Sequence, residues 1–116
     1  MRDSGNNVVL EKSVLFSLKL IEYVEILEKD RKFVIANQLL RSGTSIGANI
    51  SEAQDAESKA DFIHKMKLAS KELNETIYWF KLCQNSLSYP DCNSLNNELE
   101  DIRKILNAIL GSLKKK

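Results

Sequence analysis

Few residues in this chain could do chemistry. His64 is the only histidine, and it lies in an Asp61-x-x-His64 spacing. A carboxylate-bridged di-metal site in a helical bundle takes a Glu-x-x-His from each of two helices, plus further Glu ligands. Glu52, Glu72 and Glu75 could supply oxygens, but a second histidine is missing. The reading is therefore a surface histidine and no metal site. Nucleophilic catalysis needs a base beside a Ser, Cys or Thr. His64 is the one conventional base, and nothing in the spacing sets it next to a nucleophile. The run Ser42-Gly43-Thr44-Ser45-Ile46-Gly47 contains glycines but lacks the Gly-Lys-Ser/Thr that lets a phosphate loop hold its anion. The expectation is a protein that is not an enzyme, with no catalytic residue, no metal and no cofactor.

Polar residues at helical spacing carry more information. Ser42, Ser45, Asn49 and Glu52 fall on one stripe, with Arg41 at its edge; Glu72, Glu75, Thr76 and Trp79 form a second stripe further along. Such groups on helices with wide apolar faces are either solvated or buried and paired. A guanidinium grips a carboxylate through two parallel bonds, so Arg41 with Glu72 or Glu75 is the expected pair. If buried, it would fix packing or subunit register rather than do chemistry. Arg41, Ser42, Ser45, Asn49, Glu52, Glu72 and Glu75 are thus candidate buried-polar or interface residues. Lys59, Lys65, Lys67, Lys71 and Lys81 concentrate on one segment, and Lys114, Lys115 and Lys116 close the chain. Arg41, Lys59, Lys65, Lys67 and Lys71 are candidate phosphate partners in a nucleic-acid complex; the plainer reading is a solvated face.

The elements that must position these side chains are helices. Proline occurs once and glycine four times, so chain breakers are scarce. Residues 1–8 are expected to be a flexible polar lead, and 9–116 a single domain. Helix 1 is predicted from about Leu10 to Lys29, with Leu10, Val14, Leu18 and Ile21 flanked by Phe16, Leu20, Val24 and Leu27. That wide stripe suits a helix with two neighbours. Helix 2 is predicted from about Lys32 to Glu57, with Asp30 a possible cap. Its centre, Ser42 to Gly47, could be a loop or a break at Gly43 by propensity. Continuity is preferred, because Gly43 and Gly47 lie one turn apart and Ile46 and Ile50 repeat four apart. Small residues on one face let another backbone approach.

Ser58-Lys59-Ala60-Asp61 has the pattern in which a serine and an acid three residues later cap a helix start. Helix 3 follows, with a seam of Ile63, Met66, Ser70, Leu73, Ile77 and Phe80, ending before Pro90. Helix 4 starts near Asp91 or Ser94, with Leu95, Leu99, Ile102, Leu106, Ile109 and Leu113 spaced alternately by four and three. Four helices joined by short turns give an all-α, antiparallel, up-down-up-down four-helix bundle.

Composition agrees. The 116 residues suit one domain, and 43% hydrophobic with 28% charged residues suits a folded one. Seventeen basic against 16 acidic residues leave a formal charge of +1. A strong non-specific nucleic-acid binder carries a clear positive excess, so any such binding must come from charge segregated onto one face. Cys83 and Cys92 lack any CxxC partner and suit two reduced thiols in the cytoplasm. No apolar run approaches a membrane span, and the polar stretch Met1–Asn7 does not read as a signal peptide.

The run Gln38-Leu39-Leu40-Arg41-Ser42-Gly43-Thr44-Ser45-Ile46-Gly47-Ala48-Asn49-Ile50-Ser51-Glu52-Ala53 resembles the four-helix-bundle proteins encoded in intervening sequences of bacterial 23S ribosomal RNA genes. So does Ser58-Lys59-Ala60-Asp61-Phe62-Ile63-His64-Lys65-Met66, followed by Glu72, Glu75, Thr76 and Trp79. The resemblance covers nearly the whole chain. It implies a bacterial source and a bundle that assembles into a ring, commonly a homopentamer. It also implies kinship with the accessory protein of diversity-generating retroelements, a pentameric barrel that binds nucleic acid and partners a reverse transcriptase through basic surfaces. The near-neutral charge here departs from those basic relatives. The expected function is a non-enzymatic homo-oligomer, with RNA or DNA and a reverse transcriptase or other protein as candidate partners and no membrane. The alternative is a structural or protein-interaction scaffold with no nucleic-acid role.

Overall fold

The computed structural model describes the backbone of residues 4–114 and the side chains of residues 8–113. It contains four helices and, among the described residues, no strand: α1 (Ser4–Lys29), α2 (Phe33–Ala53), α3 (Lys59–Gln84) and α4 (Asn93–Lys114). They form a bundle of 47 × 21 × 20 Å in which α1 and α3 each pack against α2 and α4. α1 begins at Ser4 rather than near Leu10, so of the lead expected over residues 1–8 only residues 1–3 lie outside the described part.

The core face of α1 differs from the stripe read first in the sequence. Val9, Ser13, Phe16, Leu20, Tyr23, Val24 and Leu27 are buried, whereas Val14, Leu18 and Ile21 are exposed. Both sets recur with the helical period, so periodicity alone does not rank them. The glycines of α2 decide. A Cβ at Gly43 would stand 2.2 Å from Leu20 Cδ2, and one at Gly47 would stand 3.3 Å from Ser13 Cβ. α2 is continuous through these residues, and its bare edge accepts the Ser13–Phe16–Leu20 face of α1. On α3 the inward residues are Phe62, Met66, Ala69, Leu73, Thr76, Phe80 and Cys83. Met66, Leu73 and Phe80 match the expected seam, while Ile63, Ser70 and Ile77 sit half-buried at its flank. On α4, Leu95, Leu99, Ile102 and Leu106 are buried as expected, and Ile109 and Leu113 are half-buried. Phe80 anchors the centre, edge-on to Phe16 at 6.3 Å and to Tyr23 at 6.1 Å between ring centroids.

Two turns show how local chemistry sets the boundaries. At the end of α1, Lys32 N–H donates to Leu27 O at 2.9 Å and Arg31 N–H to Glu28 O at 2.9 Å. This is the Schellman pattern, which requires a left-handed residue, here Arg31 at φ 62° where glycine is usual. Asp30 does not cap α2: the helix starts after Lys32 with no side-chain cap, and Asp30 instead pairs with Lys32 Nζ at 2.7 Å. α2 also ends at Ala53, short of Glu57. The cap of α3 is the reason. Ser58 Oγ accepts from Asp61 N–H at 3.0 Å, and Asp61 Oδ2 accepts from Glu57 N–H at 3.2 Å. That exchange needs Ser58 extended (φ −156°, ψ 166°), which breaks any helix running into it.

Candidate functional site: the polar faces of α2 and α3

The polar stripes read in the sequence meet along the α2–α3 contact. At its inner edge, the buried hydroxyls of Ser42 and Thr76 lie 2.8 Å apart, and Thr76 also donates to Glu72 O at 2.8 Å. A hydroxyl pair is a compact way to satisfy two polar groups where small side chains bring helices close. At the outer edge, Arg41 reaches across to α3. Its guanidinium donates to Glu72 at 3.3 Å and to Glu75, and within α2 it donates to Gln38 Oε1 at 3.1 and 3.3 Å. Trp79 Nε1 donates to the same Glu75 carboxylate at 3.0 Å. Two turns beyond Ser58, Lys65 Nζ meets Glu52 at 3.0 Å.

The pairing of Arg41 with Glu72 and Glu75 is as the residue types imply, but it is not buried: the arginine side chain is 50% exposed. Arg41 sits at the margin of the contact, where its long stem lets the head reach α3 while keeping one side in water. Ser45 and Asn49 are half-buried and turn back onto their own helix, Ser45 Oγ to Arg41 O at 2.6 Å and Asn49 Nδ2 to Ser45 O at 2.9 Å. Glu52 is exposed.

The lysines divide into two groups. Lys65 faces α2 and is ion-paired, whereas Lys59, Lys67, Lys71 and Lys81 are exposed and, among the described residues, have no carboxylate in ion-pair range. Lys114 to Lys116 lie outside the described side chains. Two further exposed residues, His64 and Tyr78, share the outward face of α3 with Lys67 and Lys71. The sequence held the signal for Tyr78, which is seven residues after Lys71 and three before Lys81, but nothing in a lone tyrosine singled it out.

A second polar cluster was not anticipated. Tyr23 on α1 donates to Pro90 O at 2.8 Å, tying α1 to the turn between α3 and α4. Beside it sit the buried free thiols of Cys83 and Cys92, with Cys92 Sγ 3.7 Å from Phe80 O. Burial pushes the Cys92 thiol up to about 11, with the neighbouring Cys83 adding to the rise and the Tyr23 contact opposing it. Burial likewise raises Cys83, and raises the Tyr23 phenol with help from the two cysteines. All three groups are therefore neutral at ordinary pH, and the thiols are poor nucleophiles. Among the described residues no three His, Cys, Asp or Glu side chains converge on one point. No described helix is long and apolar enough to cross a membrane.

These features define a class: a four-helix-bundle protein whose polar groups join helix to helix, and whose unpaired cations line one outer face. The chain belongs to the family described as 23S rRNA-intervening sequence protein, whose profile matches residues 5–108. It is similar to a crystal structure of a protein of unknown function from the S23 ribosomal protein family of Bacteroides thetaiotaomicron VPI-5482. The two share 43% identity and superpose with a TM-score of 0.87 over 92% of this chain and 98% of that one. No curated protein matches the sequence. The family match names no reaction.

Proposed function

We propose that this chain is a non-catalytic homo-oligomeric scaffold that binds nucleic acid through its phosphates along the outward face of α3. The segregation of charge on that helix carries the reading. Lys67, Lys71 and Lys81 point outward, with Lys59 at the helix start, while the acids of α3 are engaged elsewhere: Asp61 in the cap, Glu72 and Glu75 on Arg41. A net charge of +1 offers little general attraction to a polyanion, but a helix whose cations face out and whose acids are engaged by Arg41 and the helix cap offers it locally. Of the residues first considered, Lys59, Lys67 and Lys71 keep this role, Lys81 joins them, and Arg41 and Lys65 are occupied by carboxylates.

The scaffold reading has its own support. Leu20 opposite Gly43 and Ser13 opposite Gly47, Arg41 opposite Glu75 and Glu52 opposite Lys65, fit antiparallel neighbours in an up-down-up-down bundle. The outward face of α1 carries exposed Val14, Leu15, Leu18 and Ile21. An apolar surface of this kind on one protomer is suited to burial against another copy, and a closed ring, pentameric as the family resemblance implies, repeats that contact without free ends. Buried reduced thiols suit a cytoplasmic setting.

Fluorescence-anisotropy titration with labelled RNA and DNA at increasing salt tests the nucleic-acid reading. Binding should weaken steeply with salt, and Lys67→Glu with Lys71→Glu should abolish it. No complex even at low salt would remove the proposal. Light scattering tests the assembly: Leu18→Asp should yield folded monomers, and a strictly monomeric wild type would overturn the ring. The second reading, a protein-interaction scaffold without nucleic acid, draws on the exposed Phe33, Val34 and Leu87. An intact ring that binds no nucleic acid would favour it.

A further inference from the structure

On the nucleic-acid reading above, we infer that the α3 face takes single-stranded rather than duplex nucleic acid, with Tyr78 as a stacking platform for one unpaired base. Tyr78 is 54% exposed, although it is one of the larger aromatic side chains in the protein. At 100° per residue it falls between Lys67 and Lys71 around the helix, with Lys81 close by on the same face. Along the axis it lies about 10 Å beyond Lys71 and about 5 Å before Lys81. A base on the ring would therefore have cations on both sides for its flanking phosphates. Asp61 and Glu72 lie on the α2 side of the helix, and Glu75, the one acid of α3 that borders this face, has its carboxylate engaged by Arg41 and Trp79.

The ring is also held in place. Tyr78 and Trp79 meet edge-on at 5.1 Å between centroids and 67° between planes. Trp79 is tethered to Glu75, which is in turn gripped by Arg41. In an edge-on pair at most one face of a ring is covered by the other, so Trp79 leaves at least one face of the 54% exposed Tyr78 uncovered. Arg41, Glu75 and Trp79 act as positioning residues for the platform. An alternation of aromatic rings and cations along a groove or face is the arrangement by which single strands are held without sequence preference, because every base has a π-face. A duplex keeps its bases stacked on each other, and it could use the lysines but not the ring.

Anisotropy titrations with a labelled, unstructured oligouridine and with a duplex of the same length test this. The wild type should prefer the single strand. Tyr78→Ala should weaken single-strand binding roughly 5- to 150-fold, the worth of one base stacked on one ring, and leave duplex binding unchanged. Tyr78→Phe should retain the single-strand affinity, and Lys67→Ala with Lys71→Ala should weaken both ligands. Far-UV circular dichroism of each variant establishes that the half-exposed position tolerates the change. Equal affinity for the two ligands, or single-strand binding indifferent to Tyr78→Ala, would overturn the inference and leave the nucleic-acid reading standing. Failure to bind either ligand at low salt would overturn both.

Discussion

Gly43→Ala should destabilise the protein even though alanine is the better helix former, and the structure says by how much and why. The new Cβ would stand 2.2 Å from Leu20 Cδ2, with Leu20 Cγ and Phe16 Cε2 at 3.6 Å. Carbon atoms rest at about 3.5–4.0 Å, so the leucine methyl must retreat by roughly 1.3 Å or more. Leu20 is fully buried, and Phe16 bounds the same space, so no solvent-filled volume receives it. Such overpacking costs about 1–3 kcal/mol. The gain in helix propensity offsets about 1 kcal/mol. The net loss is then about 1 kcal/mol, or a fall in Tm of roughly 4 °C for a domain of this size. Gly47→Ala meets Ser13 Cβ at 3.3 Å and needs a shift of only a few tenths of an ångström, so it should be neutral or stabilising. The decisive measurement is a double-mutant cycle by urea denaturation at fixed protein concentration. Leu20→Ala alone should cost about 2–5 kcal/mol. In that background the clash is gone, so Gly43→Ala should become stabilising by about 1 kcal/mol, giving a coupling of about 2 kcal/mol. If Gly43→Ala costs the same with and without Leu20, the two residues do not touch as described and the account of the α1–α2 contact is wrong.

Three further outcomes follow from the same structure. Arg31→Gly relieves a left-handed residue that closes the end of α1, and should raise stability by about 1 kcal/mol in thermal unfolding. Thr76→Val removes one of two buried hydroxyls and strands Ser42, costing about 1–2 kcal/mol, whereas Ser42→Ala combined with Thr76→Val should recover much of that loss in the same assay. Because the folded Cys92 thiol titrates near 11, above its unfolded value of about 8.5, the folded state holds a proton that the unfolded state has released between those values. Cys92 therefore contributes stability that is complete below pH ~8.5 and declines as pH rises towards 11; Cys92→Ser should flatten that part of the pH–stability curve relative to wild type.

Most of the helical architecture was legible in the residues. The seam of α4, the Ser58–Asp61 cap and the scarcity of breakers are local properties, written in spacing and side-chain chemistry. The continuity of α2 through Ser42 and Gly43 could be read from Ile46 and Ile50 despite poor propensity, because burial of one face outweighs the intrinsic cost of glycine. The pairing of Arg41 with Glu72 and Glu75 followed from charge and length of side chain.

Tertiary structure alone decided which of two apolar stripes on α1 faces inward, because Leu18 and Leu20 are equally greasy and only contact with Gly43 and Gly47 distinguishes their faces. It placed Arg41 at a wet margin rather than in the interior, since burial depends on how far a neighbouring helix extends over a residue and not on the residue itself. It brought Tyr23 to Pro90 and the two thiols, groups separated by most of the chain. It also sorted the lysines of α3 into the one held by Glu52 and those left facing water, because an ion pair needs a partner within a few ångströms and the sequence fixes only the charges, not the distances between them.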